Sequence, residues 1–205
     1  MHPSNQGLPK PAPLPTNADE AELLRQVAAR DPCAFELLYR NYYRRLKRFL
    51  QLLTRKPQLT DEILDDTMLV VWQKAETYNG TSRVSTWIFA IAYKKALKAL
   101  KREHRSEESL PEDEMPSTVH SPETDFIERE SGLGLKRLVA TLSLEQRAVV
   151  ELTYYHGCSY KEIAAIVGCP VNTVKTRMFH AHRKLRAILI TLGAESGRDA
   201  PLSVR

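Results

Sequence analysis

The residues best suited to chemistry lie near the carboxyl end, in the stretch GCPVNTVKTRMFHAHRKLR from Gly168 to Arg186. No acidic residue occurs between Glu162 and Glu195. The basic residues of the stretch are Lys175, Arg177, Arg183, Lys184 and Arg186. Long cationic side chains pair with phosphates and guanine edges, and a threonine or aromatic side chain can touch a thymine methyl group. This composition favours binding to a polyanion, above all a nucleic acid.

Two helices and a tight turn are predicted to present this stretch. Ser159 followed three residues later by Glu162 is a capping-box signature that opens a short helix, and Gly168 closes it. Pro170 sits where the next helix would begin. A short helix, a glycine turn and a basic second helix form a helix-turn-helix, whose second helix enters the major groove. An ordinary helical hairpin with a solvated basic face is the alternative.

The second helix of this pair has an apolar side and a polar side. Its apolar side, which we expect to face the supporting core, consists of Val174, Met178 and Leu185. The outer surface is then formed by Lys175, Thr176, Arg177, Phe179, His180, Arg183 and Lys184.

Charge is distributed unevenly along the chain. The 205 residues carry a net charge of +5 and a pI of about 9.1, which suits a polyanionic partner. Residues 104–131 nevertheless hold nine acids against two arginines, a net of −7, so the rest of the chain carries +12. With three prolines and no apolar periodicity before Phe126, this acidic segment is predicted to be a linker.

The amino-terminal half predicts a helical bundle. Asp31 and Pro32 are typical of the N-cap and first residue of a long amphipathic helix. Thr60 is predicted to cap a third helix. The segment from Tyr78 to Ser85 interrupts the helical pattern as a loop, and a fourth helix is predicted from about Thr86 to Arg102.

The predicted fold class is therefore all-α, with two small helical domains joined by a flexible acidic linker. In chain order we expect a disordered arm at 1–17, a helical bundle at 18–103, the linker at 104–131, a helix-turn-helix domain at 132–192 and a disordered tail at 193–205. The arm contains five prolines and almost no large apolar side chains, so it cannot bury enough surface to offset the entropy of ordering.

Composition argues against other classes of protein. The chain has three cysteines, Cys33, Cys158 and Cys169, and their spacing is not that of a disulfide framework. The spacing of His156 with the last two is not that of a zinc finger either. A redox role for one of the cysteines is the alternative. The amino terminus has no apolar secretion signal, so we expect a cytoplasmic protein. The apolar run Met68 to Trp72 is far shorter than the about 20 residues of a membrane-spanning helix. Since no glycine-rich phosphate loop or Ser-His-Asp spacing is present, we predict no enzyme, metal or cofactor.

Two parts of the chain also resemble one protein family. Similarity to region 4, the promoter-reading domain of the extracytoplasmic-function (ECF) class of bacterial sigma-70-type sigma factors, lies in LSLEQRAVVELTYYHGCSYKEIAAIVGCPVNTVKTRMFHAHRKLR. Similarity to region 2 of that class lies in AFELLYRNYYRRLKRFL, TDEILDDTMLVVWQKAETY and STWIFAIAYKKALKALKR. The resemblance implies a sigma factor that binds core RNA polymerase, reads the −10 promoter element with region 2 and reads the −35 element with region 4.

The resemblance also implies three sets of site residues. The −35 element would be contacted by Lys175, Thr176, Phe179 and His180, with Arg177 and Arg183 as phosphate clamps. The −10 element would be read and melted by Asn79, Ser82, Ser85, Thr86 and Trp87, with Lys94, Lys98, Lys101 and Arg102 on the DNA backbone. The polymerase β′ subunit would be met by Asp61, Glu62, Asp65 and Asp66. The spacing of Trp87 equally fits a core residue.

The implied partners are the β′ and β subunits of core RNA polymerase, promoter DNA and an anti-sigma factor, often membrane-anchored, with no membrane insertion by this chain itself. His180 stands where the family frequently has arginine, so a permanent charge is lost and the family's −35 preference is not carried over. The alternative function is a stand-alone helix-turn-helix regulator that binds an operator. That alternative leaves the amino-terminal bundle without a role.

Overall fold

The computed structural model describes residues 17–107 and 138–196, and within these ranges all regular structure is helical, as predicted. The first unit consists of α1 (Asn17–Ala28), α2 (Pro32–Thr54), α3 (Pro57–Lys74), a 3-10 turn (Ala75–Thr77) and α4 (Val84–Glu107). The second unit resumes with a helical turn at 138–140 and continues with α5 (Leu144–Tyr154), α6 (Tyr160–Val167) and α7 (Val171–Ser196). The predicted arm at 1–17 except Asn17, most of the predicted linker and the tail beyond Ser196 lie outside the described residues.

Helix α2 of the first unit begins as its sequence predicts. A carboxylate oxygen of Asp31 accepts hydrogen bonds from the backbone N–H groups of Cys33 and Ala34 at 2.8 and 3.4 Å, with Pro32 as the first helical residue. Its buried side is a stripe at helical spacing formed by Leu38, Tyr42, Leu46, Phe49, Leu50 and Leu53. Through this stripe α2 packs against α1, α3, α4 and α5.

The predicted cap of the third helix is wrong. The helix begins a turn earlier at Pro57, because the fixed φ of proline suits the first helical position. Thr60 is instead fully buried inside α3, where its hydroxyl donates to the Lys56 carbonyl at 2.9 Å and lies 2.8 Å from the Thr54 hydroxyl. Thr60 therefore ties the end of α2 to the start of α3.

The fourth helix is longer than predicted at both ends. It begins at Val84, where the side-chain oxygen of Asn17 accepts a hydrogen bond from the Val84 backbone N–H at 3.3 Å. It continues to Glu107, four residues into the predicted linker. Close to that end, Glu103 forms an ion pair of 2.9 Å with Lys56. Contacts from α1 and from the α2–α3 junction thus brace both ends of α4.

The second unit packs directly on the first. Helix α5 lies against α2 and α6 lies against α4. Buried side chains of α5 and α6, among them Leu152 and Ile163, join the same apolar core as Leu46 and Phe49 of α2. The two predicted domains therefore share one continuous core in this structure. None of the helices in the two described ranges is long and apolar enough to span a bilayer.

Neighbouring leucines of α2 provide a test of this core. Leu38 is 0% exposed, whereas Leu37 is 51% exposed. We expect Leu38→Ala to lower the free energy of unfolding by about 2–5 kcal/mol, because it leaves a cavity in the core. The matched change Leu37→Ala removes the same atoms at the surface and is expected to stay within about 0.5 kcal/mol of wild type. Urea unfolding followed by circular dichroism measures both; equal losses would contradict this assignment of the core.

Candidate nucleic-acid interface

The turn between α6 and α7 is fixed by local hydrogen bonds. The Ser159 hydroxyl oxygen accepts from the Glu162 backbone N–H at 3.3 Å, and the Glu162 carboxylate accepts from the Ser159 backbone N–H at 2.8 Å. This reciprocal capping box confirms the predicted start of α6. Gly168 ends α6 with a φ of +68°, a left-handed conformation that favours glycine. The next helix starts at Val171, one residue after the predicted Pro170.

The inner side of α7 is anchored in the core as predicted. Val174, Met178 and Ala181 are buried against the remainder of the second unit, and Leu185 is half-buried. These positions recur at helical spacing, so they fix the rotation of α7 about its axis. The opposite side of the helix must then face solvent.

The outer side of α7 is a continuous exposed surface. Lys175, Thr176 and Arg183 are exposed, His180 is half-exposed, and Phe179 is 62% exposed despite its apolar ring. The rings of Phe179 and His180 lie edge to face, with centroids 5.6 Å apart. An exposed aromatic ring among cations is suited to contact with DNA, whose bases offer apolar edges and whose backbone is anionic.

Arg177 lies at the border of this surface. It is half-buried, and its guanidinium is 3.6 Å from the Cys169 sulfur in the α6–α7 turn. A backbone hydrogen bond holds the pKa of Glu145 below its usual range, and the Arg177 charge adds to this effect. Arg177 is thus oriented partly toward the turn and α5, and its predicted role as a phosphate clamp stays a prediction.

The sequence reasoning missed His182 on the outer side of α7. Its ring nitrogen Nε2 lies 2.8 Å from the Tyr154 hydroxyl at the end of α5. His182 follows Lys175 by seven residues, which places both on one side of a helix, so the periodicity contained the signal. The outward surface therefore extends toward the exposed ring of Tyr154.

The loop before α4 is closed on itself by hydrogen bonds. The side-chain oxygen of Asn79 accepts from the Thr81 backbone N–H at 3.1 Å and from its hydroxyl at 2.7 Å, and Gly80 has a φ of +73°. The Tyr78 hydroxyl donates to the Ser82 carbonyl. Asn79 is exposed, and Ser82 and Ser85 are half-exposed. These three residues thus sit on a loop of defined shape.

Thr86 departs from the predicted arrangement. It is only 3% exposed, and its hydroxyl has no hydrogen-bond partner within the described residues. The first turn of α4 buries it because that helix begins before Thr86. In this structure Thr86 does not share the surface of Asn79 and Ser85, so we omit it from the base-reading set.

Trp87 is partly buried in the core and partly exposed at the surface. It is half-buried against the core, and its ring lies 5.8 Å from that of Tyr78. Its remaining surface lines a groove of about 370 Å³ between α3 and α4. The apolar floor of the groove includes Val70 and Ile91. Four lysines line it as well: Lys74, Lys94, Lys95 and Lys98.

The groove adds residues that the sequence did not reveal. Lys95 follows Ile91 by four residues and Trp87 by eight, so its helical spacing was visible in the α4 sequence. Val70 and Lys74 belong to α3, and only the packing of α3 on α4 brings them to Trp87. Farther along α4, Lys101 and Arg102 are exposed.

The four acids of α3 form contacts on two sides of that helix. Toward α2, Asp61 lies 3.0 Å from Lys47, and Asp65 accepts from the Tyr39 hydroxyl at 3.0 Å. Toward α4, Glu62 lies 2.9 Å from Arg102, and Asp66 lies 2.9 Å from Lys95. All four acids are nevertheless exposed. Burial, followed by the hydrogen bond to Asp65, raises the pKa of Tyr39 to about 12.

Comparison with known proteins agrees with this geometry. The family model described as Sigma-70 region 2 matches residues 38–106, which include α3, the loop and most of α4. The model described as Sigma-70, region 4 matches residues 133–185, which include α5, α6 and the outward-facing residues of α7. The two surfaces described above thus fall in two different regions of one family.

Relatives of similar sequence give the same assignment. The ECF RNA polymerase sigma factor RpoE of Cereibacter sphaeroides is 31% identical over 160 residues, which are 77% of this chain and 87% of that protein. The ECF RNA polymerase sigma factor SigM of Mycobacterium tuberculosis is 29% identical over 170 residues, 83% of this chain and 84% of that protein.

Two solved complexes share the fold. CnrH bound to the cytosolic domain of CnrY superposes with a TM-score of 0.61 at 21% identity, over 83% of this chain and 97% of CnrH. The sigma factor RpoE of Bartonella quintana bound to the anti-sigma factor NepR gives 0.59 at 22% identity, over 85% of this chain and 98% of that one. With both regions present in order, and a relative at 31% identity covered over most of its length, the chain belongs to the ECF class of RNA polymerase sigma factors, which direct the polymerase to promoters.

Proposed function

We propose that this sigma factor divides promoter recognition between its two units, with the first reading and opening the −10 element and the second reading the −35 element. The observation that carries the proposal is that each unit presents its own cation-rich surface built around an exposed or half-exposed aromatic ring, Trp87 in one and Phe179 in the other. The chain acts by binding in the cytoplasm, and catalysis belongs to the polymerase.

The outer side of α7 suits duplex DNA. A recognition helix in the major groove needs a rigid inner side and an outer side whose side chains reach bases and phosphates. Buried Val174 and Met178 supply the first requirement. For the second, we propose that Lys175, Thr176, Phe179 and His180 contact bases and that Arg177 and Arg183 contact phosphates. Thr176 already donates its hydroxyl to the Asn172 carbonyl at 3.0 Å, so its methyl group is the part left for thymine.

The groove between α3 and α4 suits a single strand. Unstacked bases are stabilised on aromatic rings, and a strand is held by cations that follow its backbone. Trp87 provides the ring, and Lys94 and Lys98 line the same groove. We propose that Asn79, Ser82 and Ser85 read base edges above this groove, while Lys101 and Arg102 continue the contacts to the backbone along α4.

The acids of α3 suit core polymerase. Asp61, Glu62, Asp65 and Asp66 all lie at the surface, where ion pairs contribute only about 0–1 kcal/mol each. These acids can therefore leave their ion pairs within the chain and pair with a basic partner at little cost in free energy. We propose that these acids meet the β′ subunit and that the β subunit is contacted elsewhere on the chain.

A protein inhibitor is also proposed. Two proteins of the same fold were solved with another protein bound: CnrH with the cytosolic domain of CnrY, and the sigma factor RpoE of Bartonella quintana with the anti-sigma factor NepR. We propose that an anti-sigma factor, which can itself be membrane-anchored, likewise controls this chain.

Reconstituted transcription tests the function as a whole. We expect the purified chain to bind duplex promoter DNA weakly by itself but to direct core RNA polymerase to start at one specific site, mapped by primer extension. Tight binding to an operator with no effect on core polymerase would instead support the stand-alone regulator.

A lysine of α7 tests the −35 surface. Lys175→Ala should lower output from a promoter that carries both elements about fivefold, because a lost base contact costs about 1 kcal/mol or more. Lys184→Ala is the matched control, since Lys184 lies on the other flank of α7, where its ammonium donates to the Thr141 carbonyl. Core binding, measured by native gel shift, should be unchanged in both variants. A parallel loss of core binding in Lys175→Ala would show that this surface meets the polymerase instead.

The lysines of the groove test the −10 surface. Lys94→Ala combined with Lys98→Ala should reduce strand opening, measured by permanganate reactivity of −10 thymines. The slope of log affinity for single-stranded −10 DNA against log salt should fall by about 1.4, since each lost phosphate contact removes about 0.7. Lys56→Ala is the control, because Lys56 pairs with Glu103 away from the groove. An unchanged slope in the double variant would mean that the strand runs elsewhere.

A further inference from the structure

An exposed tyrosine at the end of α5 is joined to α7. Tyr154 is the last residue of α5 and is 68% exposed. Its hydroxyl oxygen lies 2.8 Å from Nε2 of His182 on α7, and the two ring centroids are 5.9 Å apart. The next residue, Tyr155, instead packs on the first unit, with the Arg48 guanidinium 3.6 Å from its ring centre. The position of the Tyr154 ring is therefore set by α7 rather than by the core.

Tyr154 lies beside one flank of α7. His182 follows Lys175 by seven residues and precedes Arg186 by four, so these three side chains lie along the same flank of the helix. All three are exposed. Helix α7 has no acidic residue before Glu195, so its charges along this flank are of one sign. The flank therefore suits an anion.

The dimensions of B-DNA bring this flank to the backbone. The major groove is about 12 Å wide, and a helix with its side chains is about 10–12 Å across, so the flanks of a helix in the groove face the two phosphate walls. The amino-terminal residues of a recognition helix contact base edges. His182 lies about 10 Å farther along the axis than Lys175, at about 1.5 Å per residue. When α7 enters the groove, Tyr154 and His182 therefore face a phosphate wall, beyond the bases that Lys175 reaches.

From this geometry we infer that the Tyr154 hydroxyl donates a hydrogen bond to a backbone phosphate beside the −35 element, and that His182 is the positioning residue for this contact. The inference rests on the proposed reading of the −35 element by α7. Tyrosine is among the side chains that bond DNA phosphates, and hydrogen bonds to an ionised acceptor are stronger than those between neutral groups. The −35 surface thus extends from α7 onto α5.

The hydrogen bond between the two side chains has a defined direction when DNA is bound. An ionised phosphate oxygen only accepts, so the hydrogen of the Tyr154 hydroxyl must point to it. The hydroxyl oxygen is then free to accept, and His182 must donate to it from Nε2. A hydrogen on Nε2 is present in one neutral tautomer of histidine and in the imidazolium form. The phosphate contact thus selects these two forms of His182, and the histidine in turn fixes the orientation of the hydroxyl.

Removal of one hydroxyl tests the contact in the full chain assembled with core polymerase. Tyr154→Phe should lower the affinity for a promoter duplex about fivefold, and by the same factor when a −35 base pair is changed, because phosphate contacts carry no sequence information. The slope of log affinity against log salt should be unchanged, since the tyrosine hydroxyl neutralises no phosphate charge. Tyr155→Phe is the matched control: it removes the same atom from the neighbouring ring, which packs on Arg48, and should leave the affinity unchanged.

The contacted phosphate can be located on the DNA. Single phosphates around the −35 element are replaced, one at a time, by uncharged methylphosphonates. At one of them wild type should lose about fivefold more affinity than Tyr154→Phe loses, because only wild type has the hydroxyl that donates there. Equal losses in the two proteins at every position would overturn the inference.

A second set of variants isolates the histidine. His182→Ala should lower the affinity about as much as Tyr154→Phe, and the two changes together should lower it no further, because both remove the same contact. His182→Gln should keep most of the affinity, since its amide N–H can donate to the Tyr154 hydroxyl. Additive losses in the double variant would contradict the positioning role of His182.

Full affinity in Tyr154→Phe, or an equal loss in Tyr155→Phe, would also overturn the inference. So would weaker binding of Tyr154→Phe to core polymerase in a native gel shift, because this flank would then meet the polymerase. Failure of the proposed function gives a different result: Lys175→Ala and an altered −35 sequence would leave the affinity unchanged. If both of those lower the affinity while Tyr154→Phe does not, only the phosphate contact is contradicted.

Discussion

The structure depends most on the packing around Phe49. This residue belongs to the buried stripe of α2, and its ring meets Phe89 of α4 at 5.2 Å in an edge-to-face contact. The same ring contacts His156 of the second unit. Aromatic rings bury large areas and prefer defined geometries, so one side chain orients both α4 and the α5–α6 turn. The positions of the groove between α3 and α4 and of the helix-turn-helix thus both depend on the packing of this one ring in the core.

Around that core, charge is sorted by helix. The exposed acids of α3 lie on one helix, and the cations proposed to contact DNA lie on α4 and α7. In the proposed function, this separation lets one small chain bind a basic protein surface and a polyanion at once, because the acids and the cations are presented by different helices. It also explains why a modest net charge of +5 suffices, because local surfaces rather than the average meet the DNA.

Local signals in the sequence predicted the helices well, and the capping box at Ser159 forms as expected. The start of α3 was predicted wrongly at Thr60, because the sequence does not distinguish a threonine that caps a helix from one that is buried inside it. Pro57 was the stronger signal for a helix start. The outer side of α7 followed from periodicity alone. The packing of the second unit on the first could not be predicted from the sequence, because an apolar residue such as Leu152 shows that it is buried but not which helix it packs against. The α3 residues of the groove could not be predicted for the same reason.

The internal pairs of α3 have a consequence for the order of binding. Glu62 and Asp66 hold Arg102 and Lys95, two cations of the helix that also carries Lys94 and Lys98. In the proposed function a basic surface of the polymerase takes these two carboxylates. The potential along α4 would then become more positive, because two negative charges beside its cations would be neutralised by the partner. The proposed order of assembly is therefore polymerase first and DNA strand second, with neutralisation of the acids on α3 strengthening the attraction of α4 for the strand.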